Sequence, residues 1–159
     1  MNPQDILKYG HLTVLRTVES FPREQFDAPG AVGYWSAKDV MAHLGSYELV
    51  LVEVLQNILE PCPTPLLDEF KSGGQAFNDR QVDVLRKDRT MQEVLDEYRS
   101  AYENVAALAK RIPVYAWRRT GMLPWYGEEY DLEDFIVYTY YGHKREHCGQ
   151  IQTSRDRLR

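Results

Sequence analysis

The sequence predicts an all-α protein, a four-helix bundle, on three observations. Apolar residues recur at helical spacing in four long stretches, and each stretch opens at a residue suited to capping a helix. The first three stretches stop at or just before proline. The aromatic-rich segment from Trp117 to Tyr130 has the composition of a loop and contains no convincing strand. A chain of 159 residues with 43% hydrophobic and 12% aromatic content has apolar surface enough for one core, so residues 1–159 read as a single domain.

The first helix runs from Asn2 to Ser20, with Asn2 as N-cap, Pro3 at the first helical position, and Leu7, Val14 and Val18 facing inward. Phe21-Pro22 ends it, and Pro29, Gly30 and Gly33 keep the next segment irregular. Ser36-Ala37-Lys38-Asp39 is a capping-box-like start, in which the serine oxygen accepts an otherwise unpaired backbone N–H. From there to about Glu60 the inward stripe is Val40, His43/Leu44, Tyr47, Leu51, Val54/Leu55 and Ile58. The prolines at 61, 63 and 65 stop this second helix. A long connection follows, with a short helix expected from about Asn78 to Arg86. Thr90-Met91-Gln92-Glu93 opens the third long helix, which reaches about Arg111 with Val94, Leu95, Tyr98, Val105 and Leu108 inward. The last helix starts near Asp131 and runs almost to Arg159, its acidic start and basic end both suiting the helix dipole. The linker between the second and third long helices is long enough to run the length of a bundle, which permits those two to be parallel.

Composition narrows the function. Nineteen Lys plus Arg against twenty-four Asp plus Glu leave a formal charge of -5, the wrong sign for neutralising many phosphates, so a general nucleic-acid binder is not expected. No apolar run approaches the roughly 18 residues of a spanning helix, and the start, Met-Asn-Pro-Gln-Asp, has neither the basic nor the apolar part of a leader. No membrane partner and a cytoplasmic location are therefore expected. Cys62 and Cys148 are too few for a disulfide framework; reduced thiols are expected, with one bridge left open.

The informative feature is the placement of histidine. In the last helix the stripe runs Ile136, Tyr140, His143, His147, Ile151 and Leu158, which turns two imidazoles inward on successive turns, about 6 Å apart along the axis. His43, on the inward face of the second long helix, adds a third ring. A buried imidazole without a partner costs roughly 1–3 kcal/mol. Two readings meet that cost: a hydrogen-bonded core network, or one metal ion that gives all three rings a partner.

The segment Trp35-Ser36-Ala37-Lys38-Asp39-Val40-Met41-Ala42-His43-Leu44 resembles the one that opens the second helix of DinB-like (DinB/YfiT) metal-binding bundles. Phe77-Asn78-Asp79-Arg80-Gln81-Val82 resembles the family's Asn-containing segment. Tyr141 to Ile151 resembles its closing His-x-x-x-His-x-Gly-Gln-Ile signature. The resemblance covers essentially the whole chain in order. It implies an up-down-down-up bundle with a long crossover between helices two and three. It also implies a divalent metal, often nickel or zinc, on His43, His143 and His147, and a homodimer. Some members are thiol-dependent enzymes that use mycothiol, bacillithiol or glutathione.

Three protein ligands leave a coordination position open, the pattern of catalytic sites. The expected function is a metal-dependent transferase that activates a low-molecular-weight thiol toward a small-molecule substrate. The alternatives are a metal-dependent hydrolase on the same ligands and a non-catalytic small-molecule-binding bundle. Three imidazoles suit zinc, nickel, copper or iron, so the residues alone do not name the metal. No catalytic residue beyond the ligands is assigned. Tyr47 and Asn78 read as packing or capping residues that could reach a substrate. Glu146 and Cys148 point away from His147, and His11 reads as a surface or hydrogen-bonded histidine. Trp117, Trp125, Tyr126 and Tyr130 either form a lid or plug one end of the bundle. Arg118 and Arg119, beside them, are candidates for binding the carboxylates of a thiol cofactor.

Overall fold

The computed structural model describes residues 2–159. Its helices are α1 (Pro3–Glu19), α2 (Ala37–Leu59), α3 (Pro65–Gly73), α4 (Gln75–Asp79), α5 (Met91–Ala109), α6 (Leu132–Ile136) and α7 (His143–Arg157). Two π-helical turns extend the set: Arg80–Val84 continues α4, and Val137–Gly142 joins α6 to α7. No β-strand occurs among the described residues beyond a single bridge between Val32 and Trp35. No described helix is long and apolar enough to cross a membrane.

The helix starts follow from local chemistry. Asn2 Oδ1 accepts the Gln4 N–H at 2.9 Å. Ser36, Thr90 and Asp131 each accept the N–H three residues on, while the acidic residue there accepts the capping residue's own N–H. Prolines at 61 and 63 lie between helices, but Pro65 is the first residue of α3, where its missing N–H costs nothing. The long connection therefore differs from expectation. It is helical from Pro65, and the short helix expected over 78–86 begins instead at Gln75 and ends with the π turn at Val84.

Neighbouring residues fix how the helices run. Gly10 and Thr17 of α1, and Ser20 that caps its C-terminus, lie beside Lys144, Gln152 and Arg155 of α7, so these two helices share a direction. Gly45 of α2 faces Tyr98 of α5, and Gln56 and Leu59 border one hollow with Leu108, so α2 and α5 also run together. Across the molecule, His43 meets His147 while Tyr47 accepts a hydrogen bond from Tyr140 on its carbonyl, so α2 opposes the last helix.

Two apolar clusters fill the interior. One gathers Val50, Leu51, Leu55, Phe135, Ile136 and Tyr140, and the other Val14, Val40, Leu44, Val94, Tyr98 and Ile151. His43 contacts Trp35 of the second cluster and Tyr47, which packs on the first, so the histidines sit where the clusters meet. One stripe position differs from expectation. Leu158 is 39% exposed because it caps the C-terminus of α7 beyond the end of its partner α1. Cys148, off the stripe, is buried against the second cluster.

Candidate metal centre

α2 carries His43 and α7 carries His143 and His147. The π turn delivers the chain to α7 with its first residue, His143, facing α2. His143 Nε2 lies 3.0 Å from His43 Nε2 and 2.8 Å from His147 Nε2. One ligand atom from each of the three rings falls within 4.8 Å of the other two. The rings stand nearly at right angles for His43 with His143 and with His147, at 89° and 84°, so their nitrogens converge on a point instead of stacking.

Hydrogen bonds alone do not satisfy this arrangement. His147 Nδ1–H donates to Gln150 Oε1 at 2.7 Å, which leaves a lone pair on His147 Nε2. A single proton on His143 Nε2 cannot serve both neighbouring nitrogens. His43 Nδ1, on the far side of its ring, is buried with no partner and is not reached by an ion on Nε2. A cation at the centre would accept all three lone pairs, with Gln150 holding the His147 ring in its ligating tautomer. The donor set thus fits a divalent transition metal. Electrostatics agree. Burial, with repulsion from the other two imidazoles, lowers the pKa of His43 to about 2. Burial, then His147 and Lys144, lower that of His143 to about 3. His147 is lowered by burial, partly opposed by Gln150 and Glu146. All three are neutral at neutral pH, the form that can ligate.

The triad lies at the wall of a cleft of about 560 Å³ that Trp35, Tyr47, Asn78 and Glu146 also line. Tyr47 packs 4.6 Å from the His43 ring and 4.7 Å from His143. Tyr47 and Asn78 therefore do border the site, as does Glu146, which is exposed. Cys148 lies outside the ligand group, and burial pushes its thiol pKa up. His11 is apart from the triad, stacked 3.6 Å from Tyr102 with Nδ1 3.3 Å from the Tyr98 hydroxyl.

Trp117, Trp125, Tyr126 and Tyr130 are not part of the cleft lining. Trp125 and Tyr126 pack on Phe135 at 5.4 and 4.9 Å, and Trp117 is buried in the same cluster, so this segment plugs the end of the molecule. Arg118 is held by Asp131 at 3.2 Å and Glu133 at 2.9 Å, and Arg119 is exposed and off the cleft. The expectation that these arginines bind a cofactor at the site is corrected accordingly.

Sequence reasoning missed three parts. The turn Val32–Trp35 forms the cleft's far wall, tied down by a 2.6 Å hydrogen bond from the Tyr34 hydroxyl to Asp83. Gln150 stands three residues after His147, a spacing that could have suggested its role. Beneath the triad, Lys144 Nζ meets Glu48 Oε1 at 2.5 Å with both side chains buried, and Nζ lies 5.6 Å from the Tyr98 ring centroid. No local signal marks that pair, since a lone Glu or Lys in a helix normally faces water.

Three neutral imidazoles converging beside a cleft, on an all-helical scaffold, define a helical protein with a candidate histidine metal site. The family model of the DinB superfamily matches residues 11–151, and the chain belongs to that superfamily, which is generally metal-binding. No curated protein and no solved structure matches the chain significantly.

Proposed function

We propose that His43, His143 and His147 hold one divalent transition metal, nickel or zinc, and that the protein is a transferase using a low-molecular-weight thiol on a small-molecule substrate. The convergence of three Nε2 lone pairs at the wall of an open cleft carries this reading. A bound divalent ion with three protein ligands supplies a Lewis-acid position at which a thiol is deprotonated near neutral pH. Gln150 keeps the His147 proton on Nδ1 and so keeps Nε2 turned inward. Trp35 and Tyr47 exclude water from one side of the cleft and offer an apolar wall to the substrate. The helix directions favour the family's up-down-down-up bundle, with α3 and α4 inside the crossover between α2 and α5. The homodimer and the thiol rest on the family resemblance.

The test is turnover of an activated aryl halide, 1-chloro-2,4-dinitrobenzene, by purified protein reconstituted with nickel or zinc, with and without 2-mercaptoethanol. Thioether formation that needs both metal and protein, and that His143→Ala abolishes, is the expected result. Hydrolysis of an ester probe by the same protein without thiol, and no thioether, would replace this reading with a hydrolase.

A further inference from the structure

The charges around the cleft say what kind of molecule it takes. Its rim carries two carboxylates, Asp79 and Glu146, and among the described residues no lysine or arginine lines it. Asp83 stands just beyond, hydrogen-bonded to Tyr34. The cations nearest in sequence are engaged elsewhere. Lys144 is buried on Glu48, Arg145 lies over the Tyr141 ring, Arg80 pairs with Glu69 at 3.7 Å, and Lys38 pairs with Asp27 at 2.7 Å.

One further feature of the lining is open to a ligand. Asn78, which lines the cleft beside Tyr47, has a buried Oδ1 with no donor. A molecule in the cleft could complete that oxygen. Tyr34, Trp35 and Tyr47 line the cleft together with the carboxylates, and ring faces attract cations as carboxylates do.

Resting on the metal site proposed above, we infer that this cleft selects a thiol or substrate whose non-reacting end is positively charged, and disfavours anionic thiols. A carboxylate-bearing thiol would meet Asp79 and Glu146 with no cation to offset them.

The test uses three two-carbon thiols that differ in charge at the far end: thiocholine (cationic), 2-mercaptoethanol (neutral) and 2-mercaptoethanesulfonate (anionic). Each is titrated into cobalt-substituted protein, and binding is read from the sulfur-to-cobalt charge-transfer absorption. The comparison is between the parent and Asp79→Asn/Glu146→Gln, so the intrinsic acidity of each thiol cancels. In the double variant we expect thiocholine to weaken by roughly fivefold, 2-mercaptoethanesulfonate to tighten by about the same factor, and 2-mercaptoethanol to change little. Helical circular dichroism and the cobalt ligand-field bands check that the variant keeps its fold and site. Equal responses of all three thiols, with those signals intact, would overturn the inference and leave the metal site standing. Failure of the parent to take up cobalt would overturn both.

Discussion

The Nδ1 proton of His147 has one acceptor, Gln150 Oε1, and the Nε2 lone pair that would ligate a metal depends on it. Gln150→Leu removes that acceptor from a half-buried position, so metal affinity should fall about 10- to 100-fold while the metal-free protein melts at nearly the parent temperature. Competition with a chromophoric chelator measures the first, and circular dichroism the second. His11 offers a separate prediction, because it lies outside the triad. Burial, then Lys144 and Arg99, lower its pKa to about 4 from 6.5. Between those values the unfolded chain binds a proton that the native state refuses, so stability is complete above about pH 6.5 and is lost as pH falls toward 4. The buried triad adds to the same trend in metal-free protein. His11→Phe keeps a ring against Tyr102 and removes the titration. Its urea midpoint should therefore drop less than the parent's between pH 7 and pH 5; an equal drop would show that His11 is not held neutral.

Between elements, the seam joining α2 to α7 holds a buried ion pair one residue from each side of the site: Glu48 follows Tyr47, and Lys144 follows His143. Removing one partner strands a charge in the core, which typically costs about 3–5 kcal/mol, whereas replacing both with apolar residues of similar size is often nearly neutral. Glu48→Leu or Lys144→Met alone should therefore destabilise the protein strongly, and the double variant much less. Denaturant unfolding of all four proteins closes the cycle; additive losses would mean that the two groups do not interact. The helix starts are simpler. Ser36 caps α2 and also donates its hydroxyl to Asp39, so Ser36→Ala should lose about 1 kcal/mol of stability without lowering metal content, since His43 lies almost two turns further along.

For the whole molecule, metal binding and folding should be linked: at a free metal concentration 100 times the dissociation constant the native state gains about 2.7 kcal/mol, so a chelator should lower the melting temperature. Much of this organisation is legible in the residues themselves. Asn2, Ser36, Thr90 and Asp131 announce helix starts because capping chemistry is local. The triad is legible because each histidine occupies an apolar stripe, where a polar ring needs a reason to be. What was not legible depends on partners far along the chain. Pro65 reads as a stop but begins α3, and the π turn at Val137–Gly142 leaves no periodic signature. Nothing local marks Lys144 as buried; its partner Glu48 lies almost a hundred residues away in sequence. Arg118 reads as a candidate for a cofactor carboxylate, but Asp131 and Glu133 pair with it. Charge at the cleft mouth is likewise a property of the folded arrangement, assembled from Asp79 of α4 and Glu146 of α7. Every property proposed for the cleft requires that the three histidines hold one metal ion. Elemental analysis of protein purified without a metal-affinity tag, for the parent and for His143→Ala, measures this. About one equivalent of a transition metal is expected in the parent and its loss in the variant; a parent that takes up no metal after incubation with zinc and nickel would refute the metal centre.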